Sequence, residues 1–143
     1  MSNVVTCSII IPTRDRIDFL QPCVDSILPT LTRVAVEIII VDNGSTEAAT
    51  IDYLAALSTD SRFKILSWNK PFNFSAINNF AAQQSVGNVL CFLNNDIEIV
   101  HGQWLTTLLP VAARTDVGAV GCTLLYPDNT SSCLVSCNSC PHA

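Results

Sequence analysis

Val34-Ala35-Val36-Glu37-Ile38-Ile39-Ile40-Val41 is apolar except at Glu37, and Asp42-Asn43-Gly44-Ser45 follows it at once. An apolar run closed by turn residues reads as a strand buried on both faces. Upstream, Val4 to Ile11 (VVTCSIII) is a second such strand, ended by the polar turn Pro12-Thr13-Arg14-Asp15-Arg16. Between the two, Ile17 to Leu28 sets Phe19, Leu20, Cys23, Val24, Ile27 and Leu28 at helical spacing. Downstream the alternation continues. A helix is predicted over Glu47 to Leu57, capped by Ser45 or Thr46. A short strand follows at Phe63 to Trp68, then a helix from Phe74 to Gln84 capped by Asn73 or Ser75. Val89 to Leu93 is a fourth strand, ended by Asn94-Asn95-Asp96. Gln103 to Ala113 is a helix interrupted near Pro110, and Val117 to Leu125 a fifth strand. Strands alternating with helices require crossovers, hence a parallel sheet in an α/β fold with helices on both faces.

The composition fits one such domain. The chain has 143 residues, 49% hydrophobic and 13% charged, which excludes disorder for most of its length. Its net charge of −5 argues against nonspecific nucleic-acid binding, which needs a basic face. No apolar run approaches the ~20 residues that span a bilayer. The N-terminus shows no basic segment followed by an apolar stretch and a cleavage site, so nothing there marks export. Cys7, Cys23, Cys91 and Cys122 sit in apolar surroundings and read as small core residues. The total of seven cysteines is odd, which argues against a disulfide framework.

In open α/β sheets, ligands bind beyond the carboxyl ends of the strands. Three polar clusters stand there: Pro12 to Arg16, Asp42 to Ser45, and Asn94 to Asp96. Asp42 can accept hydrogen bonds from a base or ribose, or simply shape the turn. Asp96 and Glu98 would share a side if their segment stays extended, and a carboxylate there can hold Mg²⁺ or Mn²⁺ with phosphate oxygens. Asn69 to Phe80 is rich in Asn and Phe; its Lys70 can meet a phosphate and its amides a base or sugar. The packing alternative is a loop feeding a helix, with Phe74, Ile77 and Phe80 turned inward. No glycine-rich phosphate loop and no nucleophile elbow is present, so the usual NAD, ATP and serine-hydrolase motifs are unsupported. His101 reads as a surface residue at a helix start. Cys133, Cys137 and Cys140 have the spacing of a cluster motif, and His142 would complete a zinc set, but the aromatic expected before the last cysteine is Ser139.

Taken in order, Ser8-Ile9-Ile10-Ile11-Pro12-Thr13-Arg14-Asp15-Arg16, Ile39 to Thr46, Asn73-Phe74-Ser75, Phe92-Leu93-Asn94-Asn95-Asp96, Trp104-Leu105, Val117 to Gly121 and Leu124 to Asp128 resemble family 2 glycosyltransferases. The likeness is greatest to rhamnosyltransferase-type members that build surface polysaccharides. It implies a GT-A fold, a Rossmann-like nucleotide-binding sandwich, for residues 1–129. It also implies transfer of a sugar from a UDP-, dTDP- or GDP-sugar to a saccharide acceptor, with Mn²⁺ or Mg²⁺ and inversion at the sugar. By that resemblance Pro12, Thr13, Asp15, Asp42, Lys70, Asn73, Asn94 and Asn95 line the nucleotide site, and Asp96 is the metal ligand. Asn94 stands where the first acid of the family's Asp-x-Asp motif falls, and Asn78 where many members carry an arginine for the diphosphate, a role Lys70 would take. The family's catalytic base lies in a C-terminal half, and the likeness stops near Asn129. Residues 130–143 read as an atypical, irregular Cys/Ser-rich tail on a truncated donor-binding half. The alternatives are a non-catalytic nucleotide-binding module, or an inactive fragment needing a partner chain. The resemblance implies no nucleic acid, a cytoplasmic place that extends to the inner membrane face, and self-association through surface the second half would cover.

Overall fold

The computed structural model describes residues 6–32, 34–126 and 131–132. Strand β1 (Thr6–Thr13) pairs in parallel with β2 (Ala35–Asp42), in register from Thr6 opposite Ala35 to Thr13 opposite Asp42. β3 (Phe63–Ser67) adds to the outer side of β2, and β4 (Val89–Phe92) to the far side of β1, both parallel. The sheet order is therefore β3-β2-β1-β4. The crossovers are α1 (Ile17–Ile27), α2 (Ala48–Leu57) and α3 (Phe74–Ala82). This is the α/β sandwich expected from the sequence.

The unbroken apolar strands follow from burial on two sides. Ile9, Ile11, Ile38 and Ile40 face Leu20, Val24 and Ile27 of α1, together with Leu54 of α2 and Trp104, Leu105 and Leu109 of α4 (Trp104–Ala112). The alternate residues Ile10, Ile39 and Val41 face Ile77 and Ala81 of α3. Each central strand thus spends successive side chains on opposite cores. On the α3 side, Leu90 and Phe92 of the outer strand β4 remain exposed.

Glu37, the one charge in the β2 run, is a structural acceptor. Its Oε1 receives the Ser8 hydroxyl at 2.5 Å and the Val86 N–H at 2.6 Å. Ser8 Oγ in turn accepts the Gly87 N–H at 2.8 Å. The approach is so close that a Cβ on Gly87 would lie 2.5 Å from the Ser8 backbone nitrogen.

Four local expectations need correction. α2 is not capped by Ser45 or Thr46: its N-cap is Glu47, with no side-chain cap bond of its own. α4 runs through Pro110 without interruption, because one missing N–H is tolerated on an exposed face while Leu105 and Leu109 pack inward. The fifth strand shrinks to β5 (Leu124–Leu125), which pairs antiparallel with β6 (Ser131–Ser132) apart from the main sheet. Cys7 and Cys23 are buried as expected and Cys91 is half-buried, but Cys122 is exposed. Asn73 does cap α3, accepting the Ala76 N–H at 2.9 Å. Cys133, Cys137, Cys140 and His142 lie outside the described residues. Among the described residues, no helix is long and apolar enough to cross a membrane.

Candidate donor-binding site

Three of the four parallel strands deliver polar loops to the same end of the sheet, and a cavity of about 360 Å³ opens there. Its wall takes Pro12 and Thr13 from the end of β1, Asn43 from the end of β2, and Asn94, Asn95 and Asp96 from beyond β4. Arg14, Arg16 and Phe19 close one side; Phe72, Phe74 and Ile77 close the other. Five of the residues expected from the sequence are thus brought together: Pro12, Thr13, Asn94, Asn95 and Asp96.

Asp15, Asp42, Lys70 and Asn73 are not among the residues that line the cavity. Asp15 Oδ1 accepts the N–H groups of Thr46 and Glu47 at 2.7 and 2.8 Å, capping α2 from a different loop. Those bonds hold the Asp15 carboxyl below its ordinary range, the Glu47 N–H foremost and Thr46 next. Asp42 Oδ1 accepts both the N–H and the hydroxyl of Ser45, at 3.0 and 2.6 Å. Ser45 Oγ also accepts the Asp15 N–H at 2.7 Å, so the turns after β1 and β2 are one hydrogen-bonded unit. Gly44 serves that turn with φ of 76°, a left-handed conformation open to glycine. The Lys70 ammonium lies 5.0 Å over the Trp68 ring.

The β1 loop carries unusual backbone. Asp15 and Arg16 are both left-handed, with φ of 51° and 57°. Two successive non-glycine residues there cost roughly 1–2 kcal/mol each. The bonds from Asp15 and Arg16 to the β2 turn sustain that geometry, the Arg16 N–H reaching Glu47 Oε2 at 3.3 Å. The result sets Arg14 and Arg16 on the cavity wall. Arg16 is fixed by paired bonds to Asp18 at 2.9 and 2.7 Å and by lying 3.8 Å over the Phe19 ring. Arg14 has no ion pair among the described residues. The wall therefore holds two guanidinium groups, Arg16 already paired with Asp18 and Arg14 with no ion pair among the described residues, and one carboxylate, Asp96.

Helix α1 also holds the segment after β4. The Cys23 thiol donates to the Asn94 carbonyl at 3.6 Å, and Ser26 Oγ accepts the Ile99 N–H at 2.9 Å. Burial pushes the Cys23 thiol up to about 11, which keeps it a donor. Asn95 Nδ2 donates to Thr13 Oγ1 at 3.0 Å and joins the ends of β4 and β1. Asp96 sits in a turn, so the extended alternation expected to align it with Glu98 is not formed. Among the described residues, no group of three or more His, Cys, Asp or Glu gathers around a metal position. Asp96 with two neighbouring amides is a hard oxygen set that suits a divalent ion whose remaining ligands arrive with phosphate.

Asn43, not singled out from the sequence, is buried at the cavity wall. Its Nδ2 donates to the carbonyls of Trp68 and Lys70, both at 3.0 Å, and its Oδ1 is buried with no partner. The two carbonyls fix which end of the amide is which, since a flip would set oxygen against oxygen. Its place beside Asp42 hid it in the sequence, where Asp-Asn-Gly-Ser reads first as a turn. Arg14 and Arg16 were visible only as members of a polar loop; two arginines directly beyond a buried strand were the available signal.

The family model for glycosyl transferase family 2 matches residues 8–134. The chain belongs to that family. It is 46% identical over 123 residues to the O-antigen biosynthesis protein RfbC of Myxococcus xanthus, covering 86% of this chain and 10% of that protein. It is 30% identical over 122 residues to the glycosyltransferase AglE of Haloferax volcanii, covering 84% of this chain and 40% of AglE. The chain thus spans well under half the length of these curated relatives. Among solved structures, the fold matches the mannosyltransferase PcManGT of Pyrobaculum calidifontis, in complex with GDP-Man and Mn²⁺, with a TM-score of 0.72 at 18% identity. That match covers 86% of this chain and 36% of PcManGT. Residues 1–349 of S. aureus TarS, in complex with UDP-GlcNAc, match with a TM-score of 0.63 at 19% identity, over 75% of this chain and 31% of that one.

Proposed function

We propose that this chain is the donor-binding half of an inverting, metal-dependent glycosyltransferase that adds a sugar to a saccharide acceptor in surface-polysaccharide synthesis. The observation that carries this reading is the cavity wall itself: two arginines and one carboxylate flanked by amides, all at the carboxyl ends of parallel strands. Arg14 and Arg16 favour the diphosphate. Asp96, with Asn94 and Asn95, would hold Mn²⁺ or Mg²⁺. Bound there, such an ion offsets the charge that grows on the departing nucleoside diphosphate.

Asp15 and Asp42 act as positioning residues in this reading, since Oδ1 of each is held by backbone N–H groups or Ser45 of the turn after β2. Inversion needs a carboxylate base for the acceptor hydroxyl. Asp96 is the single carboxylate on the wall and is assigned to the ion. The base is therefore assigned outside the described residues of the wall, in keeping with the 36% of PcManGT that the chain matches. Self-association is assigned to the open β4 side, where Leu90 and Phe92 are exposed.

The test is calorimetry with UDP, dTDP and GDP, each with and without Mn²⁺. Binding of at least one nucleotide, strengthened by the ion, is expected. No binding to any of the three would sink the reading.

A further inference from the structure

Beyond β4 the chain runs from Leu93 to Gln103 without helix or strand, until α4 begins at Trp104. Asp96 lies in this segment, so its position depends on what holds the backbone there. Outside a helix or sheet, backbone N–H and C=O groups must find water or side chains. Among the described residues, the backbone of residues 94–100 makes its protein hydrogen bonds to α1 alone.

The bonds come from a polar seam on α1 and on the 3₁₀ turn Leu28–Thr30 that extends it. Its members, Cys23, Ser26 and Thr30, are spaced three and four residues apart, which is one helical face. Cys23 Sγ donates to the Asn94 carbonyl at 3.6 Å. Ser26 Oγ donates to the Cys23 carbonyl at 2.7 Å and accepts the Ile99 N–H at 2.9 Å. Thr30 Oγ1 donates to the Ile27 carbonyl at 2.7 Å and accepts the Trp104 indole N–H at 2.9 Å. Each hydroxyl proton is spent on its own helix, which leaves the oxygen free to accept from the segment.

The seam meets the segment in chain order. Asn94 lies just before the turn that carries Asp96, Ile99 just after it, and Trp104 at the start of α4. The first two bonds therefore bracket Asp96. Ile97 and Ile99 add apolar packing against the core that holds Leu20, Val24 and Ile27 of the same helix. Both ends of the turn are thus tied to one rigid element, and the exposed carboxylate between them is held by its neighbours. A group that must meet an ion works only when it is fixed to within about 0.5 Å.

We propose that Cys23 and Ser26 are positioning residues for Asp96, a proposal that rests on the donor-binding reading. Neither lines the cavity. They act through the backbone on either side of the turn, and so set where the Asp96 carboxylate stands for an ion that arrives with the nucleotide. The bond from Asn95 Nδ2 to Thr13 Oγ1 fixes a side chain of the turn but not its backbone. Thr30 holds the same segment beyond the turn and serves α4 rather than Asp96. One helix face thus carries both the proposed positioning pair and an internal control.

Calorimetry on the full chain tests this, with UDP, dTDP and GDP titrated with and without Mn²⁺ and thermal unfolding read alongside. The proteins are the unaltered chain, Cys23→Ala, Cys23→Ser, Ser26→Ala and Thr30→Val. Each alanine variant is expected to cut the strengthening of nucleotide binding by Mn²⁺ about tenfold, with binding of nucleotide alone unchanged. Cys23→Ser keeps a donor and keeps the strengthening. Thr30→Val lowers the melting temperature and leaves the strengthening as it was. An unchanged Mn²⁺ response in both alanine variants overturns the proposal. An equal loss in Thr30→Val also overturns it, since the seam would then serve stability alone. Should an alanine variant fail to fold, amide exchange in the unaltered chain decides: slow exchange at Ile99 is expected, and exchange at the unprotected rate overturns the clamp. An unaltered chain that binds no nucleotide, or binds one without a Mn²⁺ effect, fails the donor-site reading itself and the proposal with it, a result distinct from every variant effect.

Discussion

The carboxylate of Asp15 lies 2.8 Å from the backbone nitrogen of Glu47, so a residue in the loop after β1 caps the helix that follows β2. The capping chemistry is ordinary, since an oxygen anion meets free N–H groups at a helix start. Its source is tertiary. It joins the two loops that shape the cavity floor and holds Asp15 and Arg16 in their left-handed conformation.

The first prediction concerns acid. The Asp15 carboxyl is held below its ordinary value by the bonds from Glu47 and Thr46. A group depressed in the folded state binds fewer protons there than when unfolded. Its stabilisation is therefore full above the unfolded value of 3.8 and is lost as pH falls through the lower folded value. Asp15→Asn removes that dependence. Unfolding curves of the two proteins are expected to differ most near neutrality and to converge in strong acid. Curves that stay parallel to the lowest pH would refute the assignment.

Gly87 gives a prediction about packing. A methyl group there would sit 2.5 Å from both the backbone nitrogen and the hydroxyl oxygen of Ser8, and backbone cannot step aside cheaply. Gly87→Ala is expected to cost about 1–3 kcal/mol, read as a lower urea midpoint. Ser8→Ala also breaks the Glu37 network but adds no clash, so it leaves the Gly87 approach intact.

Asp96 and Asp42 should separate by their response to metal. Asp96 is exposed, so Asp96→Asn leaves the fold intact and abolishes the strengthening of nucleotide binding by Mn²⁺. Asp42→Ala releases Ser45, which also holds the Asp15 N–H, and so loosens the β1 loop. Its expected result is weaker binding with the Mn²⁺ response retained. Calorimetry with and without the ion distinguishes the two, and a metal response that survives in Asp96→Asn would remove Asp96 as the ligand.

The cysteines give a chemical test. Cys23 is buried, its thiol is pushed up to about 11 by that burial, and it donates to Asn94. At about pH 8, alkylation of the folded chain should spare Cys23 and Cys7 and modify Cys122, the exposed one among the described cysteines. Peptide mapping after iodoacetamide treatment reads this directly; rapid labelling of Cys23 would contradict its placement.

The elements themselves were legible because their signals are local. Buried β-branched runs located β2 to within a residue at each end and β1 with its carboxyl end two residues short, since Pro12 and Thr13, read as turn, continue the strand, and apolar spacing located α1 and α3. The short run at Val117 to Leu125 misled, because apolar character marks burial only where the sheet has a place for the strand. Here just Leu124 and Leu125 pair, away from the main sheet.

Sequence by itself determined the alternation, the parallel sheet and the end at which the polar loops gather, since strand ends and turn residues are written in chain order. Only the tertiary structure decided which polar residues face that ligand. Asp15 and Asp42 look like ligand-binding acids; in the fold each also spends one carboxylate oxygen, Oδ1, on backbone N–H groups or a hydroxyl of the turn after β2. Asn43 and Arg14 look incidental, yet they reach the cavity wall. Each short polar loop can shape a turn or meet a ligand. The choice depends on hydrogen bonds between loops some thirty residues apart, such as Asp15 to Ser45, which no local pattern encodes.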